Sequence, residues 1–167
     1  LSPDTGNALS AQALFQTRQS GGAWFLDVVL SNSTSDASGL QPADVLTGLY
    51  WTLPGSPSIS PVSASLDGSA VWQSGSVVSG HPNSVGGEWA FRSGLGYRSS
   101  SGVHGVSAAG LGLFGPSDRF DTSQNLAGPV GVGGLEYGIL PSLGSRPIDA
   151  NAPVVGKPLV SNTVKFV

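Results

Sequence analysis

The sequence predicts an all-β domain, a β-sandwich or jelly roll with long Gly/Ser/Pro-rich loops. Three observations carry that expectation. Apolar residues make up 39% of the chain but come in short runs, and 25 glycines, 12 prolines and abundant serine punctuate them. Several of the runs alternate with period two, as half-buried strands do. Charged residues are only 10%, yet the apolar mass is too great for a disordered linker. At 167 residues the chain reads as a single β domain, 1–167, within which 1–22 is a candidate N-terminal extension or donated strand.

Residues 7–19, NALSAQALFQTRQ, have a composition that suits a helix, but 13–17 serve equally as a first strand. The strand-like neighbours favour the second reading. Residues 23–31, AWFLDVVLS, form the clearest strand, with Leu26, Val28 and Leu30 on one face and Asp27, Val29 and Ser31 on the other. The polar loop SNSTSDASG ends it. Residues 45–53, VLTGLYWTL, place Val45, Thr47, Leu49, Trp51 and Leu53 on one side, and Pro54-Gly55 closes them. Residues 63–72 hold an Asp67-Gly68 turn between two short runs, a hairpin signal. Residues 88–91, 102–113, 135–140 and 162–167 complete the candidates. No fixed-period repeat is present, which argues against a solenoid.

The net charge is −3, and the seven basic residues are scattered. A phosphate-tracking groove needs a concentrated positive field, so nucleic acid and anionic membrane surfaces are not expected partners. No apolar run reaches the roughly 18 residues of a membrane span. Cysteine is absent, which excludes disulfides, thiolate metal sites and thiol nucleophiles. The chain has neither an initiating methionine nor a signal segment at its start and is expected to be a processed or trimmed product.

Each catalytic arrangement fails on its own chemistry. Gly110, Gly112 and Gly115 spell G-x-G-x-x-G, but the residues after them lack the helical period that a pyrophosphate-binding helix requires. The bland reading is glycine where the backbone needs close approach. No serine has the G-x-S-x-G context. His104 and Ser107 sit three apart on a candidate strand and so face opposite sides, while His81 precedes Pro82 in a loop. No enzymatic activity is therefore expected. Asp118 and Asp121, with Asn125 or loop carbonyls, are candidate oxygen ligands for calcium, although Asp118 equally suits a turn cap. Glu88 is unusual in so uncharged a chain. Its expected role is structural, paired with Arg92 or Arg98; general acid work would need a second carboxylate nearby. Trp24, Trp51, Trp72 and Trp89 suit either a core or a sugar-stacking platform. Asn32-Ser33-Thr34 matches the N-glycosylation pattern.

Several stretches carry a likeness. VGGEWAF at 85–91, AAGLGLFGPSDRF at 108–120, NLAGPVGVGGLEYGIL at 125–140 and the closing PLVSNTVKFV resemble the exosortase-sorted bacterial surface proteins, the PEP-CTERM class. LDVVLSNSTS and VLTGLYWTLPG resemble that class's opening strands, so the likeness covers nearly the whole chain. It implies export by a Gram-negative bacterium and a place at the cell surface or in the extracellular matrix, and it implies no catalytic residue. The signal peptide and C-terminal sorting tail of the class are not in this sequence, so both were removed or the sequence holds only the ordered part.

The low charge leaves little repulsion between copies, and open sandwiches carry edge strands. The expected function is that of a non-catalytic, self-associating structural protein, a candidate filament or sheath subunit. The runs 11–17 and 162–167 are the candidate pairing edges, anchored by Phe15 and Phe166. The alternative is a carbohydrate-binding module of the biofilm matrix, with exopolysaccharide as its partner.

Overall fold

A computed structural model describes residues 6–34, 41–68, 71–72, 83–97, 100–109, 135–141 and 158–167. Strands take 54% and helix 3% of these, so the all-β expectation holds. The strands are β1 (Ala11–Ser20), β2 (Ala23–Asn32), β3 (Gly48–Thr52), β4 (Ala64–Leu66), β5 (Val71–Trp72), β6 (Ala90–Tyr97), β7 (Ser100–Ser107), β8 (Ile139–Leu140), β9 (Leu159–Ser161) and β10 (Thr163–Phe166). Among the described residues the helical content is one 3-10 turn, Pro42–Asp44.

Three sheets form. The first has the order β1-β2-β10-β4, the second β3-β7-β6 and the third β5-β9-β8. Their inner faces share one core, in which Val28, Leu30, Val164 and Phe166 of the first sheet meet Val106 of the second and Ile139 and Val160 of the third. Trp89 fills the middle, fully buried, with its ring 5.0 Å edge-to-face from that of Phe166. The second sheet is covered on its other side too, where Tyr50 packs on Ala90, Leu95 and Val103. Gly105 makes that contact possible, since a Cβ there would lie 2.6 Å from the Tyr50 ring.

The helix-or-strand ambiguity of 7–19 resolves as β1, and tertiary pairing decides it. β1 and β2 form a hairpin with ten paired positions, from Ala11↔Asn32 to Ser20↔Ala23. Gly21 and Gly22 both take positive φ in its two-residue loop, the backbone that glycine enters most easily. The run thus lies beside its own neighbour in this structure.

Three boundary expectations need correction. Asp67-Gly68 is a turn, with Gly68 at φ +65°, but it does not close a hairpin: β4 pairs with β10, whereas β5 pairs with β9. The strand expected from 45 begins at Gly48, because Leu46 leaves to bridge Ile139. Residues 135–138 form a turn in place of strand, and the third sheet's central strand β9 lies in a stretch that periodicity did not mark.

Candidate functional site

Among the described strands β1, at the outer edge of the first sheet, is the most exposed. It is the sheet's terminal strand, and nine of its ten residues are exposed. On its inner face Phe15, 40% exposed, sets its ring edge-to-face on Trp51 at 5.8 Å. On the outer face Arg18 lies over the Phe25 ring at 4.3 Å and reaches across to Asp27, its Nε 3.1 Å from both carboxylate oxygens. Lys165 of β10 approaches the same carboxylate from the other side at 2.9 Å. One buried acid therefore ties β1, β2 and β10 together. Hydrogen bonding from Lys165, then from Arg18, holds the Asp27 carboxyl below its ordinary range against the cost of burial.

Beside the hairpin a groove of about 260 Å³ opens between the first and second sheets. Trp24, Phe25, Trp51 and Phe91 supply aromatic walls, and Ser58, Ile59, Ser60 and Val62 form the rim. Trp24 is 72% exposed, whereas Trp89 is wholly buried. The four tryptophans thus divide: Trp24 and Trp51 face the groove, Trp89 is core, and the Trp72 side chain lies outside the described residues.

A second constellation is internal. The backbone turns at 85–88, where the Glu88 N–H donates to the Val85 carbonyl at 3.1 Å, and at 135–138, where the Gly138 N–H donates to Leu135 at 2.9 Å. Trp89 Nε1 donates to the Tyr137 carbonyl at 3.2 Å and locks the two turns together. Tyr137 holds φ at +58°, a strained value for a bulky residue, and Gly138 follows it because Val45 and Thr47 leave no room for a Cβ. The clamp brings Glu88 and Glu136 within reach of each other's charge. Glu88 is 4% exposed and its Oε2 is buried without a hydrogen bond. Burial first, and Glu136 second, push the Glu88 carboxyl up to about 7. Burial, with both carboxylates, raises the Tyr137 phenol as well.

Burial first, and Glu136 second, govern the charge of Glu88; no contact with Arg92 is among the causes, and Arg98 lies outside the described residues. That second carboxylate sits 48 residues away, beyond the reach of local pattern.

His104 and Ser107 do not meet. His104 is buried at the β6 bulge, where Gly94 takes φ +72° and the Ser93 hydroxyl stands 2.9 Å from Nδ1. Its ring stacks on Phe91 at 6.3 Å and lies 6.0 Å from Trp51, and its Nε2 is buried without a hydrogen bond. Burial lowers its pKa, so the ring is neutral at pH 7. Among the described residues no carboxylate is seen to orient it, and the Ser93–His104 contact sits at the bulge. Ser107 Oγ accepts from the Ala109 N–H instead.

Asn32, the glycosylation candidate, is a clamp. It is 3% exposed; its amide donates to the Asp44 and Ile139 carbonyls, both at 3.0 Å, and accepts from the Thr34 N–H. The nitrogen that would carry a glycan is fully engaged inside the fold. Phe166, expected as an exposed anchor, is 3% exposed in the central strand β10 and belongs to the core. Asp118 and Asp121 fall outside the described residues, as do His81 and the glycines of 110–115. Among the described residues no three His, Asp or Glu converge as a metal group, and no helix is long and apolar enough to cross a membrane. Comparisons with protein-family models, with curated proteins and with solved structures give no match to this chain.

Proposed function

We propose that this protein is a non-catalytic structural component of a bacterial cell surface or extracellular matrix, and that its copies associate through the free edge of β1. The observation that carries this reading is the state of that edge. It is ten residues long, contains no proline, and pairs with β2 in unbroken register, so no bulge twists it away. Its single charge, Arg18, reaches across β2 to Asp27 on the outer face. Natural proteins guard such edges with charge, proline or bulges, and here that one paired arginine is the only such guard. The opposite edge of the sheet is different: β4 is three residues long, and Ser65 is bridged by Ser84. A head-to-tail contact of β1 on β4 therefore has little to hold.

The occupant that fits is a second β1 in antiparallel pairing about a two-fold axis. Centred on Phe15, that pairing sets Arg18 of one copy against Gln12 of the other; centred on Gln16, it sets Arg18 against Leu14. Like charges meet in neither register. Such a dimer closes on itself, so a filament or sheath requires a second contact, for which the aromatic groove is available. The placement outside a Gram-negative cell rests on the sequence likeness described above.

Sedimentation velocity over a wide concentration range tests the proposal, with the Leu14→Lys/Gln16→Lys double variant as control. Both side chains lie on the exposed outer face, and in either register the variant opposes lysine to lysine. Dimers in the unmodified protein that are lost in the variant are expected. A protein that stays monomeric throughout, or a variant that associates equally well, excludes it.

The second reading, a carbohydrate-binding module, is favoured by Trp24 at the mouth of a groove that also holds Trp51 and serine hydroxyls. Aromatic faces stack on sugar rings, and the hydroxyls supply hydrogen bonds. Saturable polysaccharide binding that Trp24→Ala abolishes supports it; an unchanged isotherm in that variant removes it.

A further inference from the structure

We propose that Ser93 is an acyl acceptor. His104 Nδ1 takes the proton of its hydroxyl, and the hydroxyl oxygen is esterified by an activated ester or thioester whose acyl chain lies in the aromatic groove. The site begins with a bulge. Arg92 pairs with Gly105 and Leu95 with Val103, so Ser93 and Gly94 of β6 together stand opposite the single residue His104 of β7. Gly94 supplies the left-handed backbone, at φ +72°, that such a bulge needs. The bulge sets an exposed hydroxyl 2.9 Å from the Nδ1 of a histidine that is itself only 2% exposed. That is the reach of a nucleophile and its base. Nε2 is buried and unbonded, so a proton moves on or off this ring at the Ser93 side.

The ring is held in place by its neighbours. Phe91 stacks on it at an interplanar angle of 16°, and Trp51 packs against it at 35°. The orienting task that a carboxylate performs in hydrolases falls here to two aromatic faces, which also attract the transient imidazolium. The same two rings are walls of the groove, whose lining is aromatic, aliphatic, proline and serine, with no charge among the described residues. An uncharged trough of about 260 Å³ walled by the rings that hold His104 accepts an apolar acyl chain and offers a charged one nothing to bind.

The step balances without a further reactant. Ser93 Oγ attacks the carbonyl carbon of the donor while its proton passes to Nδ1, and the Oγ–C bond forms. The bond from that carbon to the leaving oxygen or sulfur breaks with its electron pair, and the imidazolium returns the proton to the leaving group. An alcohol or thiol departs, and the Ser93 ester remains. Hydrolysis of the ester would need a water at Nδ1 of a ring 2% exposed, with the ester itself across the open side. One acylation per chain is therefore expected, a modification of a structural protein without turnover. It is independent of association through β1, since neither residue lies on that strand.

The donors to use are p-nitrophenyl acetate and p-nitrophenyl hexanoate. At pH 8 the full chain should release one equivalent of nitrophenol as a burst, gain the mass of one acyl group and carry it on Ser93. Hexanoate should react roughly tenfold faster than acetate, from partial burial of its extra methylenes. Ser93→Ala, at an exposed position, should lose the burst and keep the fold. His104→Phe keeps an aromatic ring between Phe91 and Trp51 and should slow the burst about hundredfold. In the unmodified protein the rate should fall on acidification with a midpoint below the ordinary histidine value of 6.5. Burial lowers the His104 pKa, and the side chains against its ring, Trp51, Phe91 and Ser93, carry no charge. An acyl group found on lysine or the amino terminus in place of Ser93 overturns the proposal, and so does an undiminished burst in either variant. Equal rates for the two esters remove the groove from it.

Discussion

Glu88 is the side chain whose ionisation the fold works against. Its carboxyl is raised from 4.5 to about 7 by burial and by Glu136, so between those values the folded chain holds a proton that the unfolded chain has lost. Stability should therefore be full below about pH 4.5, fall as pH rises to about 7, and level off above it. The loss should approach roughly 3 kcal/mol, from 1.36 kcal/mol per pKa unit over the rise from 4.5 to about 7. Glu88→Gln should remove that slope and be the more stable protein at pH 8. Urea unfolding at pH 5 and pH 8 measures both; an unchanged slope in the variant would show that another group is responsible.

At the scale of the element, Asp27 ties β1 to β2 through Arg18 and β2 to β10 through Lys165. Val28 and Leu30 of β2 are buried, but on β1 the inner-face Ala13 and Phe15 reach only the margin of the core. The carboxyl of Asp27 is held low by Lys165 and Arg18, so its contribution is present above the ordinary aspartate range and lost as pH falls below it. Asp27→Asn should weaken β1 selectively. Hydrogen exchange should quicken in Ala11–Ser20 with little change in β10, and the variant should lose less stability than the unmodified protein on acidification below pH 4. Equal exchange in both strands would mean that the hairpin opens only with the whole sheet. The loop contributes as well, since Gly21 and Gly22 match the right-handed twist of the strands they join.

For the whole molecule the low charge bears on the proposed association through β1. A β1–β1 contact joins backbone groups and weakly polar side chains, so its strength should change less than about threefold from 0.05 to 1 M sodium chloride, where the Debye length shrinks to ~3 Å. The Leu14→Lys/Gln16→Lys variant should behave oppositely and regain association at high salt, because its defect is repulsion. Analytical ultracentrifugation at the two salt concentrations separates these outcomes. A steep salt dependence in the unmodified protein would instead point to an interface that uses charged groups away from β1.

The sequence by itself determined the fold class and the strongest strand. Alternation in AWFLDVVLS is a local property, and Leu26, Val28 and Leu30 turn to the core as it required. It also held the signal for the first hairpin in Gly21-Gly22, although the reading of 7–19 leaned on its neighbours instead. Tertiary structure decided the rest, because partners distant in sequence set the environment of each group. Asn32 matches a modification pattern, yet two carbonyls from other segments make it an internal clamp. Phe166 looks like an exposed terminal residue, but β10 lies between β2 and β4 and its ring meets Trp89. For Glu88 the sequence offers Arg92 or Arg98 as partners, whereas burial and the turn at Glu136, tied to it through Trp89, are what raise its carboxyl. Periodicity reports which face of a strand is apolar; it carries no information about which strand, or which carboxylate, will lie against that face.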